Sequence, residues 1–212
     1  LPAAIFVSLW LFFSLNILSI VDGYAGRPFT LTERLLTEPR VILFYISLLL
    51  YPTYSRLMLN HDVELSISLL DPWTTGPAIL IIAACLIWAV WRVRKSPLAA
   101  YCVLFFFLNH LIEGSFIPLE LIYEHRNYIP SMLLFLPVAI LIVRALEYFS
   151  YKKILQLSIV ALVSFVLAAQ GHTVSMYNHI FKDTYSLWSD NVIKAPNLSR
   201  PYIGLGNAFW DQ

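Results

Sequence analysis

The chain has 212 residues, of which 59% are hydrophobic and only 13% are charged, and its formal net charge is +1. A soluble globular domain carries about 25% charged residues, and a nucleic-acid-binding domain needs a basic field, so this composition excludes both classes. The mean hydropathy of +0.71 instead predicts an all-α membrane protein, a polytopic bundle of transmembrane helices.

Long apolar runs predict six membrane spans in chain order, since a helix needs roughly 17–25 apolar residues to cross a bilayer. The predicted spans are 1–21, 41–59, 77–91, 97–112, 130–148 and 154–170, which makes residues 1–170 the transmembrane bundle. Pro52 is expected to kink the second span. Cys85 and Cys102 lie within apolar spans, so we expect small buried hydrophobes there and no disulfide or metal pair.

A short interfacial helix is predicted between the first two spans, near residues 29–37. The spacing Thr30-x-x-Glu33 is that of a capping box, which begins a helix. Phe29, Leu31 and Leu35 supply an apolar side, as expected of a helix that lies on the membrane surface.

The loop charges predict an orientation, because Lys and Arg favour the cytoplasmic side. Segments 22–40, 92–95 and 149–153 each carry two or more Lys or Arg residues, whereas loops 60–76 and 113–129 are mainly acidic. The alternation places the first three segments in the cytoplasm, and the two acidic loops and the C-terminal tail outside. We therefore expect an integral protein of a bacterial inner membrane, or of the endoplasmic reticulum membrane in a eukaryote, with a periplasmic or lumenal tail.

Residues 171–212 are predicted to form an extramembrane helical segment. A helix is expected over 173–193, with Tyr185 and Trp188 as packing anchors. A Pro-Asn turn follows, and then the string Tyr202-x-x-Leu205-Gly206-Asn207-Ala208-Phe209. This pattern is typical of the start of a tetratricopeptide repeat; the alternative is an ordinary amphipathic tail. Because one half-repeat cannot bury its own apolar face, we expect further repeats beyond the chain.

Loop 113–129 carries the candidate site, because Arg126 stands in it directly before a span. Arg is well shaped to hold a phosphate through its planar fork of donors. Pro130 begins the next helix, and helix N-termini favour anions. The prediction is that Arg126 binds a lipid-linked phosphate, with His125, Glu124 and Tyr128 beside it. The alternative is that Arg126 snorkels to the interface or pairs with a nearby glutamate.

Glu120 and Glu124 are spaced four residues apart, so on a helix they would share a face and repel. A cation between them would explain the pair: Arg126, an Arg from another span, or a divalent metal, of which we prefer an arginine. His125 is a candidate proton donor or phosphate contact, although a lone histidine is more often structural.

A second polar cluster is predicted from Arg56, His61 and Asp62, at the outer end of span two. Asp62 would orient an acceptor or pair with Arg56; the alternative is that it caps a short helix. Asn109 and His110 would line a cavity or join helices. No Gly-rich phosphate loop, Ser/His/Asp elbow or Cys/His metal spacing is present in the sequence. We therefore assign no catalytic residue and no definite cofactor.

Several of these strings resemble one family when taken together. They are Ala25-Gly26-Arg27-Pro28-Phe29, His61-Asp62, Ile117-Pro118-Leu119 and Glu124-His125-Arg126-Asn127-Tyr128-Ile129-Pro130-Ser131. With the repeat-like tail, the chain resembles the membrane-spanning tetratricopeptide-repeat O-mannosyltransferases of the GT-C glycosyltransferase superfamily. The family pattern is Glu-Arg-x-x-Tyr-x-Pro-Ser, whereas this chain has Glu-His-Arg-x-Tyr-x-Pro-Ser, so the arginine is shifted by one residue.

The resemblance implies a polyprenyl-phosphate-linked sugar donor bound at the outer face, with Arg126 holding its phosphate and a hydroxyl of a protein as acceptor. In that superfamily the key carboxylate lies in the first outer loop. The resemblance therefore implies the C-terminal half of a membrane domain, with earlier spans before Leu1, and this stretch alone is not expected to turn over substrate. The competing hypotheses are a non-catalytic scaffold, whose repeats recruit a protein partner, and a lipid-sugar transporter, which the nearly charge-free span centres disfavour.

Overall fold

The computed structural model describes residues 23–210, which are helical with no β-strand among them. The predicted span 1–21 therefore lies outside the described residues. Eight α-helices follow one another here: α1 Leu31–Leu50, α2 Thr75–Arg92, α3 Pro97–Glu113, α4 Tyr128–Ser131, α5 Leu136–Tyr148, α6 Lys153–Asn178, α7 Thr184–Lys194 and α8 Ser199–Trp210. Short 3-10 turns lie at Tyr54–Arg56, Glu124–Asn127 and His179–Lys182.

Helix α1 begins at the predicted capping box and then continues much further than expected. The Thr30 hydroxyl accepts a hydrogen bond from the Glu33 N–H at 3.3 Å, and Glu33 Oε2 accepts one from the Thr30 N–H at 2.7 Å. The helix runs through Pro39 to Leu50, so the predicted interfacial helix and most of the predicted second span are one element. Pro52 lies after the end of this helix, so the expected kink inside a span is wrong.

Within residues 23–210, two helices are long and apolar enough to cross a membrane: Thr75–Arg92, and Lys153–Lys182 when the 3-10 extension of α6 is included. The pair Glu124–Ser131 and Leu136–Tyr148 meets the same test only as one bent span, with an angle of 53°, and Pro97–Leu111 is a shorter apolar helix. The structure is thus an α-helical one compatible with membrane insertion, with two or three candidate spans where six were predicted.

The apolar surface of the candidate spans points outward. Leu80 and Ile87 of α2 are each 70% exposed, and Phe165 of α6 is 72% exposed. Buried positions instead include polar and charged side chains, among them Arg34 and His110. Outward apolar and inward polar side chains are the arrangement expected of helices that face lipid.

Ion pairs bear on the predicted orientation of segment 22–40. Arg27 pairs with Glu120 at 2.5 Å, and Arg40 pairs with Glu64 at 3.5 Å. These contacts join segment 22–40 to both acidic loops. Because a bilayer core is about 30 Å thick, these contacts do not fit the predicted placement of 22–40 on the opposite side of a membrane from loops 60–76 and 113–129. Which side each segment faces stays a prediction. Arg27 and Arg40, which the orientation rule counted as unpaired loop charges, are paired with carboxylates. Residues 23–76 and 113–127 form one folded layer, which we call the loop layer.

The tail is an antiparallel helix pair. Tyr185 of α7 lies edge-on to Phe209 of α8, with ring centroids 5.1 Å apart, while Trp188 lies against Gly204. The predicted anchors Tyr185 and Trp188 therefore do pack between the helices. The predicted helix over 173–193 is divided, since α6 passes into the 3-10 turn and α7 restarts at Asp183, whose carboxylate accepts from the Ser186 N–H at 2.7 Å. Membership in a repeat array stays a prediction.

Candidate functional site

The segment around Arg126 is a 3-10 turn held between α1 and α3. The Tyr45 hydroxyl donates to the Tyr123 carbonyl at 3.0 Å and accepts from the Tyr123 N–H at 2.8 Å. On the other side of the turn, Asn127 Oδ1 lies 3.2 Å from His110 Nε2, and the His110 ring stacks on Tyr45. His110 thus joins elements, as one sequence alternative proposed. These contacts fix the backbone on both sides of Arg126.

Arg126 is a half-buried residue with three partners. Its Nε lies 3.1 Å from Glu113 Oε2, and one terminal nitrogen donates to the Glu120 carbonyl oxygen at 2.8 Å. Its guanidinium lies over the Tyr123 ring, 4.8 Å from the centroid. Arg126 therefore pairs with neither of the glutamate side chains that the sequence suggested. Sequence reasoning missed Glu113, because nothing local marks the last residue of an apolar helix as the partner of an arginine 13 residues later.

Glu120 and Glu124 have separate partners. Glu120 precedes the 3-10 turn and Glu124 begins it, so the two do not share a helix face. The Glu120 carboxylate lies 2.5 Å from Arg27 and 3.6 Å from Arg200. Arginines from other segments therefore pair with Glu120, but they do not join it to Glu124 as the prediction of a shared cation required. Glu124 Oε1 accepts from the Met58 N–H and lies 3.0 Å from His61 Nε2.

The second predicted cluster is separated in the structure. Arg56 donates to Ser47 Oγ at 2.5 Å and lies over the Phe44 ring. Asp62 accepts from Asn197 of the tail at 2.9 Å, rather than pairing with Arg56. His61 joins Glu124 instead. His61 and Asp62 therefore belong to the candidate site, whereas Arg56 packs against Ser47 and Phe44 of α1.

Tyr123 is a central residue that the sequence reasoning did not single out. Arg200 of α8 donates to its hydroxyl at 2.6 Å, and the His125 ring stacks on it at a centroid distance of 5.2 Å. Together with Arg126, these side chains surround one aromatic ring. Tyr128, by contrast, is 77% exposed. The contacts of Arg126 and Arg200 with the Tyr123 ring could not be predicted from the sequence, because Arg200 lies 77 residues after Tyr123.

A polar cavity of about 370 Å³ opens beside this cluster, between the loop layer and α8. We call it the polar cavity; its charged and titratable lining consists of Arg27, His61, Asp62, Glu120 and Arg200. The carboxylate of Glu120 lies between two of these arginines. Two guanidiniums converging on one anionic group can equally hold a phosphate, whose oxygens accept the same forked hydrogen bonds.

An apolar cavity of about 350 Å³ lies on the other side of His61 and Glu124. Its walls come from α1, from α6 and from the segments that precede α5, and include Leu48, Leu49, Leu57, Phe135 and Val174. Glu124 lines this cavity and His61 lines the polar one, and these two side chains are 3.0 Å apart. The polar and apolar cavities are therefore linked by a hydrogen-bonded pair of which one member lines each cavity.

Glu38 is the strongly perturbed carboxyl of the loop layer. Burial raises its pKa to about 7, and the nearby Arg34 and Arg126 only partly offset that effect. Its carboxylate lies 2.8 Å from Arg34, and both side chains are buried. Glu38 lines neither cavity described above, so its role here is to stabilise the layer that carries Arg126.

Within residues 23–210, no group of three or more His, Cys, Asp or Glu side chains is arranged to hold a metal ion. Cys85 and Cys102 are free thiols, and Cys102 is buried as expected. Comparisons of the chain with protein-family models, with curated proteins and with solved structures found no match. The arguments about function therefore rest on the residues and their geometry.

Proposed function

We propose that the chain is the donor-binding part of a membrane glycosyltransferase, which transfers a sugar from a polyprenyl-phosphate-linked donor to a hydroxyl of a protein acceptor. The observation that carries this proposal is the adjacency of the arginine-lined polar cavity and the apolar cavity, linked by His61 and Glu124. Such a donor has an anionic, sugar-bearing head and a long hydrocarbon chain, so it needs adjoining polar and apolar compartments.

In this proposal the phosphate lies between Arg27 and Arg200 and takes the place of the Glu120 carboxylate. Arg126 supports the same anion from behind, because it holds the Glu120 carbonyl and the Tyr123 ring. This assignment moves the main phosphate contacts from Arg126 to the two arginines that line the cavity. The prenyl chain follows the apolar cavity along α1 and α6 toward the exposed apolar surface of α6.

His61 and Asp62 complete the polar cavity, where the sugar and the acceptor hydroxyl would meet. Asp62 is hydrogen-bonded to Asn197, which lies between the two tail helices. A protein acceptor bound by the tail would therefore reach the cavity on the side of Asp62. The outer-face location implied by the family resemblance belongs to the same proposal.

A binding measurement tests the proposal directly. A short-chain polyprenyl-phosphate mannose is titrated into the purified full chain in detergent, and its affinity is compared among variants. Arg27→Gln and Arg200→Gln are each expected to weaken binding about tenfold or more, and Arg126→Lys to keep only part of the affinity, because Lys lacks the bidentate fork. The matched control is Arg94→Gln, an exposed cation on the α2–α3 turn. Equal affinity in all four variants would reject the proposal.

A second candidate function is a membrane scaffold whose tail recruits a protein partner. The observation that favours it is the outer face of α8, where Ile203 and Trp210 are 62% and 90% exposed. Helix pairs of repeat arrays bury such faces against the next repeat or a ligand. The test is purification of the complex from native membranes with and without residues 183–212; a complex indifferent to this deletion would exclude the scaffold role.

A further inference from the structure

A third cavity, of about 430 Å³, lies at the far end of α2. Thr75 begins α2 in the loop layer and Arg92 ends it, so the two ends are about 26 Å apart at 1.5 Å per residue. The cavity is formed between the α2–α3 turn and α5. We call it the basic cavity; it shares no lining residue with the polar cavity, so it is a separate site.

Three cations line the basic cavity: Arg92 and Lys95 from the turn, and Arg144 from α5. None of them forms an ion pair with a carboxylate of residues 23–210, and no Asp or Glu lines the cavity. Arg92 Nε is buried there without a hydrogen-bond partner. Like charges brought together without a counter-ion repel, and a buried unsatisfied donor costs free energy, so the cavity favours an anion.

The remaining walls are apolar, and include Trp88, Leu98, Pro137 and Leu141. The Trp91 ring lies under both Arg92 and Lys95, at 5.3 and 5.7 Å. Tryptophan and basic residues gather where a membrane helix meets the headgroup region. An anion that fits here must therefore carry hydrocarbon as well as charge.

We propose that the basic cavity binds the headgroup phosphate of an anionic phospholipid, with the acyl chains lying along the exposed apolar surfaces of α2 and α5. Basic pockets between membrane helices are suited to such headgroups. Arg92, Lys95 and Arg144 supply the positive charge that neutralises the phosphate. The bound lipid contacts both the α2–α3 hairpin and α5, and so stabilises the packing of these elements at this end of α2.

The test is retention of lipid by the full chain, measured by native mass spectrometry after exchange into defined nanodiscs. The probes are dioleoylphosphatidylglycerol and the zwitterionic dioleoylphosphatidylcholine. The wild type is expected to retain phosphatidylglycerol preferentially. Each cation removed is expected to lower the ratio of retained phosphatidylglycerol to phosphatidylcholine by about fivefold. Arg144→Gln should therefore lower this ratio by about fivefold, and Arg92→Gln/Lys95→Gln/Arg144→Gln should abolish the preference.

The matched control is Arg94→Gln/Lys152→Gln/Lys153→Gln, which removes three exposed positive charges from the same region without touching the cavity. It is expected to keep the preference. An equal loss in both triple variants would reduce the effect to general surface charge and overturn the proposal. Competition by millimolar inorganic phosphate would assign the site to a soluble anion and would also overturn it. The folding of each variant is checked by circular dichroism.

Discussion

Asn191 of α7 and the backbone of Asn60 exchange two hydrogen bonds. The Asn60 N–H donates to Asn191 Oδ1 at 3.1 Å, and Asn191 Nδ2 donates to the Asn60 carbonyl at 3.1 Å. Both residues are buried. The Asn191 side chain therefore pairs with the backbone of Asn60, the residue directly before His61 and Asp62. This contact holds the tail, which carries Arg200, against the polar cavity.

Replacing Asn191 with Ala should undock the tail from the loop layer. The change leaves the buried Asn60 N–H and carbonyl unpaired, which costs about 1–3 kcal/mol for such groups. We expect faster amide hydrogen exchange in α7 and in residues 57–63, and weaker binding of an anionic ligand in the polar cavity. Asn207→Ala, at an exposed position of α8, is the control. Unchanged exchange in both variants would refute the docking role of Asn191.

Two glycines of α8 offer a matched pair for the packing of the tail. A Cβ at Gly204 would lie 2.2 Å from Trp188 Cδ2, whereas a Cβ at Gly206 would have nothing within 4 Å. Gly204→Ala should therefore destabilise the helix pair by about 1–3 kcal/mol, as overpacking does. Gly206→Ala should stabilise α8 by up to about 1 kcal/mol through helix propensity.

Limited proteolysis of the tail measures both changes. We expect cleavage to accelerate in Gly204→Ala and to slow slightly in Gly206→Ala. Because the two substitutions are chemically identical, a similar effect of both would show that the contact between Gly204 and Trp188 does not limit the packing of α7 and α8.

Arg34 should be the most sensitive position of the loop layer. Its side chain is fully buried and donates to the carbonyls of Ser115, Leu119 and Glu113. Removing one partner of a buried charged network typically costs about 3–5 kcal/mol. Arg34→Lys keeps the charge but cannot satisfy three carbonyls at fixed angles, so a large fall in the thermal midpoint is expected.

The exposed Arg94 again provides the comparison, since Arg94→Lys should leave the midpoint unchanged. Both proteins are measured in the same detergent by the loss of helical circular dichroism on heating. If Arg34→Lys melted at the wild-type temperature, the three carbonyl contacts would not be contributing to stability.

Glu38 makes the stability of the protein depend on pH. Its pKa is raised to about 7 in the folded chain by burial, against an ordinary value of 4.5. Between about pH 4.5 and pH 7, Glu38 is therefore protonated in the folded state and ionised in the unfolded state. The contribution of Glu38 is fully present below about pH 4.5 and falls by up to about 1.4 kcal/mol per pH unit as pH rises through the window to about 7.

Glu38→Gln should remove this dependence. The groups that face Glu38 are Arg34, Arg126 and Glu113, and the substitution leaves all three in place while it removes the Glu38 proton. We expect the stability of wild type relative to Glu38→Gln to decline from pH 5 to pH 7, as followed by thermal melts at several pH values. A difference that stays constant with pH would mean that Glu38 is ionised throughout.

The sequence by itself determined the features that depend on neighbours along the chain. Composition alone required apolar helices, and hydropathy found the elements that became α2, α3 and most of α6. The capping box at Thr30 and the packing roles of Tyr185 and Trp188 were also predictable. Each of these features depends on local hydrogen bonding or on a helical periodicity of a few residues, and such interactions are encoded within the segment itself.

Only the tertiary structure decided which charges meet. Arg27 pairs with Glu120 and Arg126 with Glu113, while Arg200 contacts Tyr123 from the tail. For this reason a rule that counts charges loop by loop did not predict the ion pairs of segment 22–40 with the two acidic loops. A charge in a sequence has many partners within reach of a flexible chain, and its pairing is selected by burial and packing over the whole layer. Helix α1, which contains the start of the predicted second span, is not among the candidate spans of residues 23–210, because it belongs to the loop layer and carries charged residues such as the buried Arg34 and Glu38.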